Sequence, residues 1–497
     1  MTSTRTERSA PPPPPPSTEA SRYLCAAAYL DRRFADRVVD KVLRERHRAV
    51  APSYGVDLHA VVRHCLAARR HRFARALVLT ALLLVAFPAF VVLGASLLGA
   101  GIRVVVIAWG VVFMSRCIDR YEILAGHLLR DRFDVRGAPR ASIRDEKLIG
   151  DLERHQLANV TVYSGFSPFV GCGLDRGGWS FVVDIRRGKT GIAGTERPMA
   201  FEVEDLYAAV LETVRSLHIP TLRAEDRLFM NGRDVRGERW ILPDDFARPL
   251  PWVDPAVVHE YLRAPSHRVR HYLTVQLVDW KGELVLSLFL RFNLVGGSLF
   301  CEGNYFLLPP VKEQYHAVDD VSAVPDLRAL VREVAISALW APFQLVLAPF
   351  HVVERLFAQW TRWLERRATR RQIRNRPMFD YGAATTIRQE GMSGNFRHYF
   401  QKLDELMYIK LVQKKVFESA AAFLDARGID TGELRERQST ILNSGVIITG
   451  GEIRAQSLAV GSGARAFAQA LRPSAHVPQA PPPAQAPPPA QPTAPRS

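Results

Sequence analysis

The chain has 497 residues, room for two or three domains each with its own core, and a net charge of +16. That charge points to anionic partners, lipid headgroups or nucleic acid, and nine Lys among 66 basic residues leave an arginine bias too general to mark any one Arg as a phosphate ligand. Cys25, Cys65, Cys117, Cys172 and Cys301 are scattered without a CxxC pair, which argues against both a disulfide framework and a zinc site.

Residues 1–20 hold a run of prolines and no apolar core, so they read as an extended disordered arm and not as a secretory leader. Ser21–Arg48 reads as an amphipathic helix, with Ala27, Leu30, Phe34, Val38 and Val42 at three- and four-residue steps. SYGVD breaks the pattern, and Asp57 is placed to cap a second helix carrying Leu58, Val61, Val62, Cys65 and Leu66.

From Ala76 to Ser115 the only charged residue is Arg103. One membrane crossing needs roughly 20 apolar residues, so this stretch is long enough for two. Gly94, Gly99 and Gly101 lie near its midpoint, and the spacing places the tip of a transmembrane hairpin at LLGAGIRVVV, Leu97–Val106. Arg103 would then snorkel to the headgroups. Arg63, Arg69, Arg70, Arg72 and Arg75 precede the segment; Arg116, Arg120, Arg130 and Arg132 come after it. Basic flanks mark cytoplasmic ends, so an even number of crossings is expected, with both termini in the cytoplasm.

Residues 142–323 read as an α+β domain. Strands are expected at Asn159–Tyr163 and Trp179–Ile185, then a helix near Glu204–Leu217 and another starting at Asp254-Pro255. A meander comes next, VRHYLTVQLVDW, ELVLSLFLRFNLV and GSLFCEGNYFLL, turning at Lys281-Gly282. Leu284, Leu286, Leu288, Leu290, Phe292 and Leu294 alternate, which predicts an antiparallel sheet covered on one face by helices.

Val334–Val353 is a second apolar stretch, interrupted by Gln344, His351, Pro342 and Pro349. Arginines crowd the chain beyond Val353. A crossing here would strand them outside, so residues 334–376 read as a broken re-entrant or in-plane element leading into a basic interfacial helix. Trp360 and Trp363 would face lipid while Arg362, Arg366, Arg367, Arg370, Arg371 and Arg374 meet anionic headgroups. The competing topology makes Ala76–Ile102 one tilted span and Val334–Val353 the return, exporting residues 121–333.

Residues 393–427 predict a helix with Phe396, Phe400, Leu403, Met407 and Leu411 on one stripe, ended by Gly428. Residues 440–466 then form a short, glycine-punctuated β module. It either docks on the parent domain or self-associates through Ile448, Ile453, Leu458 and Val460. Residues 469–497 are a proline-rich tail.

The motifs closest to known catalytic patterns fail on geometry. Gly188-Lys189-Thr190 resembles the end of a phosphate loop, but Val183 stands where its first glycine belongs. GCGLDRGG, residues 171–178, precedes a strand and not the helix a dinucleotide needs. Ser167 lacks the second glycine of a nucleophile elbow, and His259, His267 and His271 match no zinc spacing. Asp319-Asp320 after His316 offer at most a polar cluster.

The reading is an α+β integral membrane protein: a helical hairpin, a cytoplasmic α+β domain with an antiparallel sheet, a helical C-terminal region and a short β module. The expected role is a cell-membrane scaffold, sensor or assembly protein without cofactor or catalytic residues. Its partners would be anionic membrane lipids, an unknown protein and further copies of itself, with nucleic acid disfavoured. The alternative is a membrane-bound enzyme whose site is assembled from residues distant in sequence.

Overall fold

The computed structural model describes residues 19–191, 194–322, 326–444, 448–449 and 452–453. Both proline-rich ends lie outside the described residues, as do Leu458 and Val460.

Helices α1 (Glu19–Leu30) and α2 (Arg32–Arg37) replace the single helix expected from Ser21 to Arg48. The break falls at Asp31, whose carboxylate accepts from the Phe34 amide at 3.1 Å and caps α2. Asp57 does cap the next helix, accepting from the Ala60 amide at 2.8 Å. Helix α3 (Leu58–Val92) then leads directly into the apolar segment, and α4 (Leu97–His127) returns from it. The tip is Leu93–Ser96, with Gly94 at φ +89°. LLGAGIRVVV is therefore not the tip but the first turns of α4, because the Ser96 hydroxyl accepts from the Gly99 amide and starts the helix there. His71 meets Asp119 at 2.8 Å and Arg75 donates to Ser115 at 3.4 Å, which locks the two helices side by side at the base of the hairpin.

After α5 (Ile143–Gln156) comes the sheet: β1 (Val160–Tyr163), β2 (Leu174–Asp184), β3 (Leu222–Asn231), β4 (Val269–Asp279), β5 (Leu284–Val295) and β6 (Ser298–Leu308). The strands lie in the order β1-β3-β4-β5-β6-β2. β1 is parallel to β3 and every other pair among them is antiparallel. Helix α6 (Val203–Arg215) precedes β3 and α7 (Pro255–Arg263) precedes β4; α8 (Leu327–Asn375), α9 (Tyr399–Asp425) and α10 (Gly432–Ser444) come after the sheet. Strand β3 and helix α10 have no counterpart in the sequence reading.

Helices α6 and α9 cover one face, where Leu288, Leu290 and Phe292 meet Leu206, Val210, Val416 and Phe417. The opposite face is also covered. Phe169 stacks on Phe289 with centroids 4.1 Å apart and packs against Phe229, Tyr272 and Phe306. Leu284–Leu290 is consequently buried throughout, more than the single buried face expected, because a loop supplies the aromatic cover that no helix periodicity announces.

α3, α4 and α8 are long and apolar enough to cross a membrane, which marks the chain as a membrane protein. Helix α8 is unbroken from Leu327 to Asn375, with Pro342 and Pro349 inside it, so the expected re-entrant break does not occur. Ser337, Ala341 and Ala348 let its backbone approach the hairpin, and that packing holds the helix across both missing hydrogen bonds. The helix forecast from residue 393 begins only at Tyr399, after a capping box between His398 and Gln401. At the other sheet edge β7 (Ile448–Thr449) pairs with Gly178 of β2, and β8 (Glu452–Ile453) pairs back on β7.

Candidate functional site

The nucleotide-like motifs prove to be close backbone approaches. Gly173 sits at φ +90°, where a Cβ would fall 2.2 Å from the Leu307 carbonyl oxygen, and one on Gly188 would fall 1.9 Å from that of Glu196. Thr190 opens a two-residue ribbon with Gly194–Thr195. His259 lies 3.5 Å from Glu204, His271 lies 2.9 Å from Asp226, and His267 is exposed, so the three histidines have different surroundings. Ser167 is exposed in its loop. Among the described residues no group of three or more His, Cys, Asp or Glu is placed to hold a metal ion.

A partly buried polar network joins α1 to the sheet. His316 Nε2 stands 2.7 Å from Glu283, and the Tyr23 ring lies 4.1 Å from the imidazole. The Tyr23 hydroxyl donates to Asp319 at 2.7 Å, and Arg22 reaches the same carboxylate at 2.7 Å. Burial raises the Asp319 carboxyl, but the bonds from Tyr23 and Arg22 outweigh it and hold the group below the ordinary range. Arg388, fully buried, donates to the carbonyls of Glu283 at 3.0 Å and Pro309 at 2.6 Å, and burial pushes its guanidinium down to about 10. These groups bond one another and backbone. His316 and Asp319, which the sequence marks as no more than an ordinary loop cluster, thus brace two segments through Tyr23.

The charged cavity lies elsewhere. About 380 Å³ opens between α2, α3 and α8, within the size range of small-ligand sites. Arg32, Arg69, Arg72, Arg75, Arg355 and Arg362 line it, against Asp36, Asp40 and Glu354. Arg69 bridges Asp36 at 3.1 Å and Asp40 at 3.0 Å, Arg362 reaches Asp40 at 2.9 Å, and Arg32 reaches Glu354 at 3.0 Å. At the end of the π-helical stretch Val38–Leu43 that continues α2, burial lowers Arg44, and the charges of Arg69 and Arg362 lower it further. Arg72, Arg75 and Arg355 make no ion pair among the described residues; Arg72 donates to the Ala28 carbonyl at 3.1 Å and Arg355 lies 5.1 Å from the Phe73 ring centre. In the sequence Arg69, Arg72 and Arg75 form a basic flank of the hairpin. Their three-residue spacing puts them on one side of a helix, a signal that was available.

The anchoring residues named from sequence are distributed around α8. Trp360 and Trp363 are exposed, with Arg367 stacked on Trp363 at 3.7 Å, and Arg370, Arg371 and Arg374 are exposed beyond them. Arg366 is half-buried and Arg362 turns inward to Asp40. Arg103 lies in α4, 5.9 Å from the Phe90 ring centre. Ile448 and Ile453 stand in β7 and β8 beside β2 of the same chain.

Two contacts fix how α8 lies. Near its start, Glu333 accepts from Arg116 at 2.7 Å and Arg120 at 3.1 Å, at the hairpin base. Farther on, Arg355 covers Phe73 and Arg362 reaches Asp40, the partner of Arg69, at that same base. Between these points Ala341, Leu345 and Ala348 pack on Leu79, Val104, Ala108 and Val112.

The AbeC-like domain family matches residues 178–456, more than half of the 497-residue chain, and the chain belongs to that family. No curated protein and no solved structure matches it.

Proposed function

We propose that this member of the AbeC-like domain family is a membrane-anchored scaffold or assembly protein, with its α+β domain and both ends of α8 on the cytoplasmic side. One observation carries the reading: α8 returns to the base of the hairpin at both of its contact points. A helix crossing the bilayer beside the hairpin would carry its far end roughly 30 Å away, beyond the tip. From Leu339 to Leu364 its outer side instead carries an exposed apolar stripe, including Phe343, Phe350, Phe357 and Trp360. At 1.5 Å per residue that stripe is roughly 38 Å long, suited to a helix lying in the interface.

Basic residues flank both arms of the hairpin, in keeping with two cytoplasmic ends. Trp360 and Trp363 would enter the acyl boundary, and the exposed arginines beyond them would meet anionic headgroups. A protein partner is supported by α9. Its first turns expose Tyr399, Phe400, Leu403 and Met407, while Gln401 and Glu405 are buried.

Reporter domains fused after Arg136 and after Arg376 test the sidedness. Both should report cytoplasm. An external signal after Arg136 would overturn the hairpin and restore the exported-domain topology.

A further inference from the structure

We propose that the cavity between α2, α3 and α8 binds the phosphate headgroup of an anionic amphiphile, whose apolar tail leaves along the hairpin. The lining carries six guanidinium groups against three carboxylates. Those carboxylates are engaged by Arg32, Arg69 and Arg362. The surplus positive charge therefore resides on Arg72, Arg75 and Arg355, which line the cavity from two helices. Arg72 Nη2 is buried without a hydrogen-bond partner. Arg72 thus keeps one buried N–H group free beside its bond to the Ala28 carbonyl, and a phosphate oxygen is the acceptor that a planar fork of N–H groups fits best.

The other wall selects the kind of phosphate. Ala76, Leu79 and Ala348 close the cavity toward the bilayer, and Leu79 and Ala348 belong to the apolar cluster that α8 makes with the hairpin. A ligand with its phosphate on the arginines thus has an apolar exit on its far side. The narrow space admits a headgroup and excludes a nucleic-acid duplex, whose major groove alone, about 12 Å wide, exceeds the roughly 8–10 Å between the axes of packed helices.

The inference rests on the interfacial position of α8 for the direction of entry, and its test is independent of sidedness. The full chain, released in neutral detergent, is titrated with dioleoylphosphatidylglycerol, dioleoylphosphatidylcholine or inorganic phosphate and measured by native mass spectrometry. One phosphatidylglycerol per chain should be retained at roughly tenfold lower concentration than phosphatidylcholine, a difference near 1.4 kcal/mol. The double variant Arg72→Gln/Arg355→Gln should abolish that preference. Arg223→Gln/Arg268→Gln, which removes equal charge from exposed positions of the sheet domain, should leave it intact. Equal retention of the two lipids by the wild-type chain would overturn the proposal, whatever the variants do. So would an equal loss in both double variants. Displacement of the lipid by millimolar inorganic phosphate would assign the arginines to a free anion and overturn the amphiphile.

Discussion

At Gly173 a side chain would have to share space with the Leu307 carbonyl, and the backbone angle already favours glycine. Gly237 offers the contrast, with φ +99° and nothing within 4 Å of an added Cβ. Gly173→Ala should therefore cost roughly 2–4 kcal/mol, and Gly237→Ala about 1 kcal/mol. Thermal unfolding of the full chain in detergent compares them, and equal losses would show that the approach to β6 is not what requires glycine. The failure of GCGLDRGG as a nucleotide loop was legible from the strand pattern that follows it. Its actual reason was not, because the obstructing strand lies far along the chain. The same holds for the cavity: Arg69, Arg72 and Arg75 are visible as a stripe, but their carboxylate partners and Arg355 come together only through tertiary packing.

Among elements, those with strong local signals were legible. Strand β5 arises from uninterrupted alternation, Asp57 starts α3, and Gly428, at φ +69°, lies just past the end of α9. Strand β3 was hidden because Arg223, Glu225, Asp226 and Arg227 interrupt its pattern. Arg227 is nevertheless buried, bonded to Glu225 and to the Thr161 hydroxyl. Helix α8 was misjudged in the opposite direction, since two prolines signal a break that packing against the hairpin prevents. Its seat depends on Glu333, whose side chain is 6% exposed between Arg116 and Arg120. Glu333→Gln leaves both guanidiniums without a counter-charge and should cost roughly 3 kcal/mol. Glu354→Gln breaks a pair whose side chains are 63% and 49% exposed and should cost less than about 1 kcal/mol. Similar shifts in unfolding temperature for the two would remove Glu333 as the seat of α8.

Across the whole molecule, α8 acts as a brace. Its first turns hold the base of α4, its middle covers the hairpin, and its end joins the sheet domain, where Ile373 is buried with Phe379 and Tyr381 and Arg236 donates to the Ile373 and Arg376 carbonyls at 2.8 Å. The apolar segments were legible as membrane-seeking from composition. The in-plane course of α8 was expected from the arginines beyond Val353, but its continuity was not, because the two prolines read as a break. The most direct test of that path labels single cysteines with a membrane-impermeant maleimide in right-side-out and inverted vesicles. The background is Cys117→Ser, since the remaining native cysteines are buried. Arg328→Cys and Arg371→Cys, near the two ends of α8, should both label only in inverted vesicles, and Leu93→Cys at the hairpin tip only in right-side-out ones. Labelling of Arg328→Cys and Arg371→Cys from opposite sides would mean that α8 crosses the membrane and would contradict the account.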